Sequence, residues 1–164
     1  ICNEREVLVK LDRTDKRILS ELQNNARISN LELADKVGLS ASPCLRRVRQ
    51  LEEAGLIKGY YTQLNASVLG LKLMALVQIS MDRHTPDRFE HFEATVSTFP
   101  QVLECILITG QSADYQLRVL VKDMEEYHDF LLNRITRIPG VTDVHSSFVL
   151  RQVISTTALP LEFV

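Results

Sequence analysis

At 164 residues the chain has room for one domain of ordinary size or two small ones, each with a core of its own. A hydrophobic content of 45% beside 24% charged residues is that of a folded, water-soluble protein, and no apolar run approaches the roughly 20 residues that a membrane crossing requires. The formal net charge of −2 argues against indiscriminate nucleic-acid binding and turns attention to where the charges sit.

Residues 1–60 carry 11 Lys and Arg against 9 Asp and Glu, a balance of +2, whereas residues 61–164 carry 8 against 12, a balance of −4. A modestly basic head on an acidic body fits nucleic-acid contact confined to one face. The opening ICNEREVLVK lacks the basic start, apolar middle and small-residue cleavage site of a secretory signal, so the cytoplasm is the expected compartment. Cys2, Cys44 and Cys105 are far apart, and His84, His91, His128 and His145 form no ligand spacing. Neither a disulfide framework nor a metal site is expected, and Cys44 and Cys105 read as small core residues.

Residues 1–10 show no strong period and read as a lead-in. From Leu11 a helical pattern begins, with Asp12 as N-cap, Leu11, Ile18, Leu19 and Leu22 on one side, and Asn24-Asn25 at the end. A second helix follows, in which Ser29 and Glu32 have the spacing of a reciprocal capping box. Leu31, Leu33, Ala34 and Val37 are assigned to its buried side, and Gly38 stands where a left-handed residue would end it. Ser40 is placed to cap a third helix, and Pro43 is tolerated in a first turn, where an amide has no intrahelical partner to lose.

On a helical wheel of that third helix, Ala41, Cys44, Leu45, Val48 and Leu51 share one arc. Ser42, Arg46, Arg49 and Gln50 fall opposite, with Arg47 on a flank. Arginine suits guanine or phosphate, and Ser or Gln suits base edges, so this face matches an element that enters the DNA major groove. A charge run alone is more often a solvated face. The capping box, glycine turn, second cap and short preceding helix reverse that preference, and residues 11–59 read as a helix-turn-helix domain with Ser40, Ser42, Pro43, Arg46, Arg47, Arg49 and Gln50 facing DNA.

The segment LIKGYYTQLN reads as a short strand at Leu56-Ile57, a glycine, and a second run from Tyr60 to Leu64, the pattern of a wing. Residues 60–70 are then the connection, with Asn65 to Gly70 as linker. Residues 71–164 repeat one plan twice. Leu73, Ala75, Val77, Ile79 and Met81 alternate as a strand, and Thr85-Pro86-Asp87 opens a helix with Phe89, Phe92 and Val96 inward. Phe99-Pro100-Gln101-Val102 leads into a strand to Ile108, and Tyr115, Leu117, Val119 and Val121 alternate as the next. Asp123 with Glu126 caps a helix carrying Tyr127, Leu131 and Ile135, and Ile138-Pro139-Gly140-Val141 opens a strand through Val149. Two βαβ units of this size predict a ferredoxin-like, four-stranded antiparallel sheet with both helices on one face. The other face, with Leu76, Ile106, Ile108, Leu120 and Val149, predicts burial against a second copy. Residues 151–164 stay apolar and read as an extra strand or a tail on a partner.

The blocks LDRTDKRILSELQNNARISNLELADKVGLSASPCLRRVRQLEEAGLIKGY, ITGQSADYQLRV and IPGVTDVHSSFVL, taken together, resemble the Lrp/AsnC (feast/famine) family of transcription regulators over nearly the whole chain, from about Leu11 to about Pro160. The first block, with its Ser-Pro-Cys helix start, is distinctive, and TTALP (Thr156–Pro160) resembles a subgroup that senses amino acids. The resemblance implies an α+β chain: an N-terminal winged helix-turn-helix that binds double-stranded DNA, then a ferredoxin-like βαββαβ ligand-responsive domain. It implies homodimers, often octamers, and an amino-acid effector near Thr109, Gly110, Asp114 and Tyr115, with Ser146, Ser147 and Phe148 matching positions that influence the response. Three residues, Gln111, Ser112 and Ala113, separate Gly110 from Asp114 where the family commonly has two. Asp114 is suited to an effector's ammonium and the amides around Gly110 to its carboxylate, whereas spacing alone favours a plain turn, for which both residue types are suited; the resemblance brings the two readings level.

Two other functions compete with this one. An acylphosphatase-like enzyme needs an anion cradle after the first strand; Asp82 to Pro86 offers Arg83 without the Asn or glycines, and no nucleophile–base pair or carboxylate dyad stands out. An effector-independent, DNA-compacting architectural protein is the alternative within the DNA-binding class.

Overall fold

The computed structural model describes residues 10–110 and 112–164, which fall into two compact units, one of residues up to Gln63 together with Ile154–Val164 and one of Leu64–Val153. The lead-in over residues 1–9, including Cys2, and Gln111 lie outside the described residues.

The first unit is built from α1 (Arg13–Asn24), α2 (Asn30–Val37) and α3 (Ala41–Glu53). Two capping boxes set the starts of the first two. Asp15 N donates to Asp12 Oδ1 while Asp12 N donates to Asp15, and Ser29 and Glu32 exchange the same pair of bonds. Gly38 ends α2 at φ +74°, the left-handed conformation that a side chain would oppose. Ser40 occupies the N-cap of α3, but its hydroxyl makes no cap hydrogen bond. Ile18, Leu19, Leu33, Ala34, Val37, Cys44 and Leu51 form the buried core between the helices.

Four expectations change here. Leu31 is 73% exposed, because it lies two residues back from Leu33, about 200° round the helix. Leu45 is 40% exposed, since it occupies the edge of its apolar arc rather than the middle. Residues 56–64 carry no strand, so the wing expected from LIKGYYTQLN is not formed as a hairpin among the described residues. The C-terminal residues do not extend the sheet: they pack on α1, where Gln23 Nε2 donates to Leu159 O (3.1 Å), Leu159 N donates to Gln23 Oε1 (2.6 Å), and Leu161 joins the helical core.

The second unit holds β1 (Leu73–Met81), α4 (Pro86–Val96), β2 (Val102–Leu107), β3 (Tyr115–Val121), α5 (Met124–Asn133) and β4 (Val141–Phe148). The sheet order is β2-β3-β1-β4, antiparallel throughout, with Leu73 opposite Val121, Ile79 opposite Tyr115, and Ala75 opposite Phe148. Alternation in β1 and β3 buries Ala75, Val77, Ile79, Met81, Tyr115, Leu117, Val119 and Val121 against Phe92 and Val96 of α4 and Tyr127 and Phe130 of α5. Both helices therefore cover one face, as expected. Cys105, expected in a core, is exposed on edge strand β2, although its thiol is pushed up to about 11, by burial first and the nearby Glu93 charge second. Cys44 is buried as expected.

Candidate nucleic-acid interface and effector loop

Helix α3 is held from behind by polar ties as well as by its core. Arg47 Nη1 donates to Asp12 Oδ2 (2.6 Å) and to Asp15 Oδ1 (2.7 Å), joining the middle of α3 to the first turn of α1. Asn30 Nδ2 donates to the Ala41 carbonyl (2.8 Å), joining the starts of α2 and α3. The carboxyl of Asp12 is held below its usual range, by the Asp15 amide first and Arg47 second, and the two aspartates raise the Arg47 guanidinium above its ordinary value. These ties fix which side of α3 points outward.

On that side Ser42, Arg46, Arg49 and Gln50 are exposed, and together with Leu45 and Glu53 they line one shallow groove. Among the described residues no hydrogen bond or ion pair engages Arg46 or Arg49. Exposed, uncommitted guanidinium groups on a rigid helix are free to meet phosphate or a guanine edge. Ser40 is exposed and Pro43 half-buried at the start of the same helix. Arg47, expected in this set, is instead committed to α1. Leu45, expected in the core, sits on the outer face, where an apolar side chain suits a thymine methyl.

The loop between β2 and β3 is closed onto β1. Ile108 N donates to Asp114 O, Asp114 N donates to Ile79 O, and Ser80 Oγ donates to Ser112 O (3.0 Å). Gly110 turns the loop at φ +88°, with open space where a Cβ would stand. Asp114 Oδ2 accepts from Met81 N (2.7 Å), and His84 Nε2 lies 2.7 Å from Asp114 Oδ1. Tyr115 turns the other way: it is a core residue, 1% exposed, its hydroxyl donating to Glu93 Oε1 (2.7 Å). Burial first and Glu93 second raise its phenol well above the ordinary value.

Two family models divide the chain between these elements. A winged helix-turn-helix DNA-binding model matches residues 11–58, and an Lrp/AsnC ligand binding domain model matches residues 74–159. The chain belongs to the Lrp/AsnC family. It is similar to the Bkd operon transcriptional regulator of Pseudomonas aeruginosa, 44% identical over 94% of this chain and 100% of that protein. It is also similar to the leucine-responsive regulatory protein of Salmonella typhimurium, 45% identical over 87% of each. A transcriptional regulator from Neisseria meningitidis, solved as a complex with L-methionine, superposes with a TM-score of 0.90 at 42% identity, covering 94% of this chain and 99% of that one. The chain is accordingly a DNA-binding transcription regulator of the Lrp/AsnC type with a ligand-binding domain, and among its described residues no helix is long and apolar enough to cross a membrane.

Of the residues expected at an effector site, the fold brings Thr109, Gly110 and Asp114 to one loop and puts Ser146, Ser147 and Phe148 elsewhere. Phe148 pairs with Ala75, whereas Asp114 bonds at Ile79, four residues or about 13 Å along β1. Ser146 hydrogen-bonds Tyr127 Oη, and Phe148 meets the Tyr127 ring edge-on at 5.1 Å between centroids, both toward α5, while Ser147 is exposed. His84 was missed as a neighbour of the loop; no sequence spacing links residue 84 to residue 114, and only the β1–β3 pairing does.

Proposed function

We propose that this chain is a sequence-specific regulator that works in the cytoplasm as a homodimer or a larger assembly and changes its DNA occupancy in response to a small amino acid. The observation that carries the DNA half is the outward face of α3, where a helix locked from behind presents Ser42, Arg46, Arg49 and Gln50 without hydrogen-bond or ion-pair partners among the described residues. Ser40 and Pro43 supply backbone approach at the helix start, and Arg47 acts by positioning α3. Residues 11–59 read DNA, residues 60–70 connect, and the sheet unit senses and self-associates.

The relatives named for leucine and for an L-methionine complex support an aliphatic or thioether amino acid as effector. Thr109, Gly110 and Asp114 form one half of its site. Because Ser146, Ser147 and Phe148 lie well away in the same chain, a pocket that uses both sets draws them from two copies, which ties sensing to assembly. Gel-shift titration on promoter fragments tests the reading. Arg46→Ala and Arg49→Ala each weaken specific binding by about tenfold, the ~1–3 kcal/mol of a base contact, and unchanged binding by both would reject the assigned face. Thermal-shift screening with the twenty amino acids tests the effector half; no response to any of them favours the DNA-compacting alternative, which the three-residue spacing before Asp114 encourages.

A further inference from the structure

Asp114 is a carboxylate with one oxygen committed and one guarded. Oδ2 takes the Met81 amide at 2.7 Å and fixes the loop to the end of β1. Oδ1 faces His84 Nε2 at 2.7 Å. The two partners differ in exposure: the Asp114 side chain is 17% exposed, whereas that of His84 is 69% exposed. Beyond Asp114, His84 meets the Phe89 ring at 6.0 Å between centroids, a tilted contact without a hydrogen bond. An exposed imidazole on the 82–85 connection thus caps the one carboxylate oxygen left for a ligand.

We propose that His84 is a built-in competitor for the effector's ammonium, so that amino-acid binding at this loop is coupled to loss of a proton from His84. This rests on the effector reading of Thr109, Gly110 and Asp114. An imidazolium and an α-ammonium carry the same charge and the same kind of N–H donor, and both crowded onto Oδ1 would repel each other. A bound amino acid therefore favours the deprotonated, displaced imidazole. The effector's own carboxylate and ammonium keep their charges near neutral pH, so a proton released on binding comes from the protein side of the contact. The charged group in contact with it is Asp114 across the gap; Asp82 and Arg83 neighbour it in sequence, Asp87 and Arg88 follow in the first turn of α4, and Arg88 is paired with Asp82 at 3.2 Å.

Calorimetric titration of the full chain with L-methionine and with L-leucine, in two buffers of different ionisation enthalpy, counts the protons released. The wild type is expected to release a fraction of a proton per ligand, with affinity rising as the pH is raised from 6 to 7.5. His84→Ala and His84→Gln are expected to release none, to lose the pH dependence, and to bind about two- to fivefold tighter near pH 6, the strength of an exposed ion pair. Equal affinity and equal proton release in wild type and both variants would overturn the proposal and leave the effector reading standing. Binding by none of the three proteins, with these two or any other of the twenty amino acids, would remove the effector reading and this proposal with it.

Discussion

Three arginines within four positions of one helix end up with two different jobs, and geometry decides between them. Arg46 and Arg49 project from the outer face, while Arg47 lies between Asp12 and Asp15 at 2.6 and 2.7 Å. Arg47→Ala removes the cation that separates two carboxylates, so it is expected to lower the melting temperature of the full chain in a circular-dichroism scan and to weaken DNA binding only as α3 loosens. Arg46→Ala is expected to weaken binding with the melting temperature unchanged. Acid acts on the same tie. Because the folded Asp12 carboxyl holds its proton less tightly than an unfolded one, its contribution is complete above the ordinary carboxylate value of about 3.9 and fades as pH falls through the lowered folded value. Urea melts of wild type and Asp12→Asn are therefore expected to differ at pH 6 and to converge as the pH is taken well below 4.

At the level of helices and strands, residues with a local partner were legible and residues waiting on a distant one were not. Ser29 and Glu32, Asp12 and Asp15, and Asp123 with the Glu126 amide are caps written three residues apart, and all are formed. Ser29→Ala breaks both hydrogen bonds of its hydroxyl and is expected to cost about 1 kcal/mol, visible as a lower melting temperature, with Ser29→Asp recovering most of it. Strict alternation made β1 and β3 equally plain. The segment 56–64 forms no strand pair, because Leu56, Ile57 and the Tyr60–Leu64 run supply strand composition without the short turn and paired register that close a hairpin. The tail failed for a different reason. An apolar stretch records that it needs burial but not which surface supplies it, and the bracket between Gln23 and Leu159 spans 136 positions. The candidate site divides the same way: the outward face of α3 follows from one wheel, but the His84–Asp114 contact exists only once β1 and β3 are paired.

For the molecule as a whole, the sheet face away from α4 and α5 is where assembly has to be decided. The alternation that buries Ala75, Val77, Leu117 and Val119 turns Met74, Leu76, Ile106 and Leu120 the other way, among Gln116, Arg118 and Ser147. Apolar side chains interleaved with polar ones, including the Arg118–Glu104 pair at 3.4 Å, have the make-up of a protein–protein interface rather than of a second internal core. In a two-fold dimer each such residue acts twice, so one substitution puts two like charges into the contact. The wild type is expected at twice the 18.7 kDa chain mass or a higher multiple, and Leu76→Glu and Leu120→Glu are each expected to shift it toward the single-chain mass in light scattering coupled to size exclusion, with far-ultraviolet circular dichroism unchanged. The loss should carry through to DNA, because a separated chain presents one α3 where a dimer presents two to paired half-sites. If the wild type already runs at the single-chain mass at tens of micromolar, or if both variants keep its mass, the sheet face is not the assembly surface and cooperative reading of two half-sites has to be sought elsewhere.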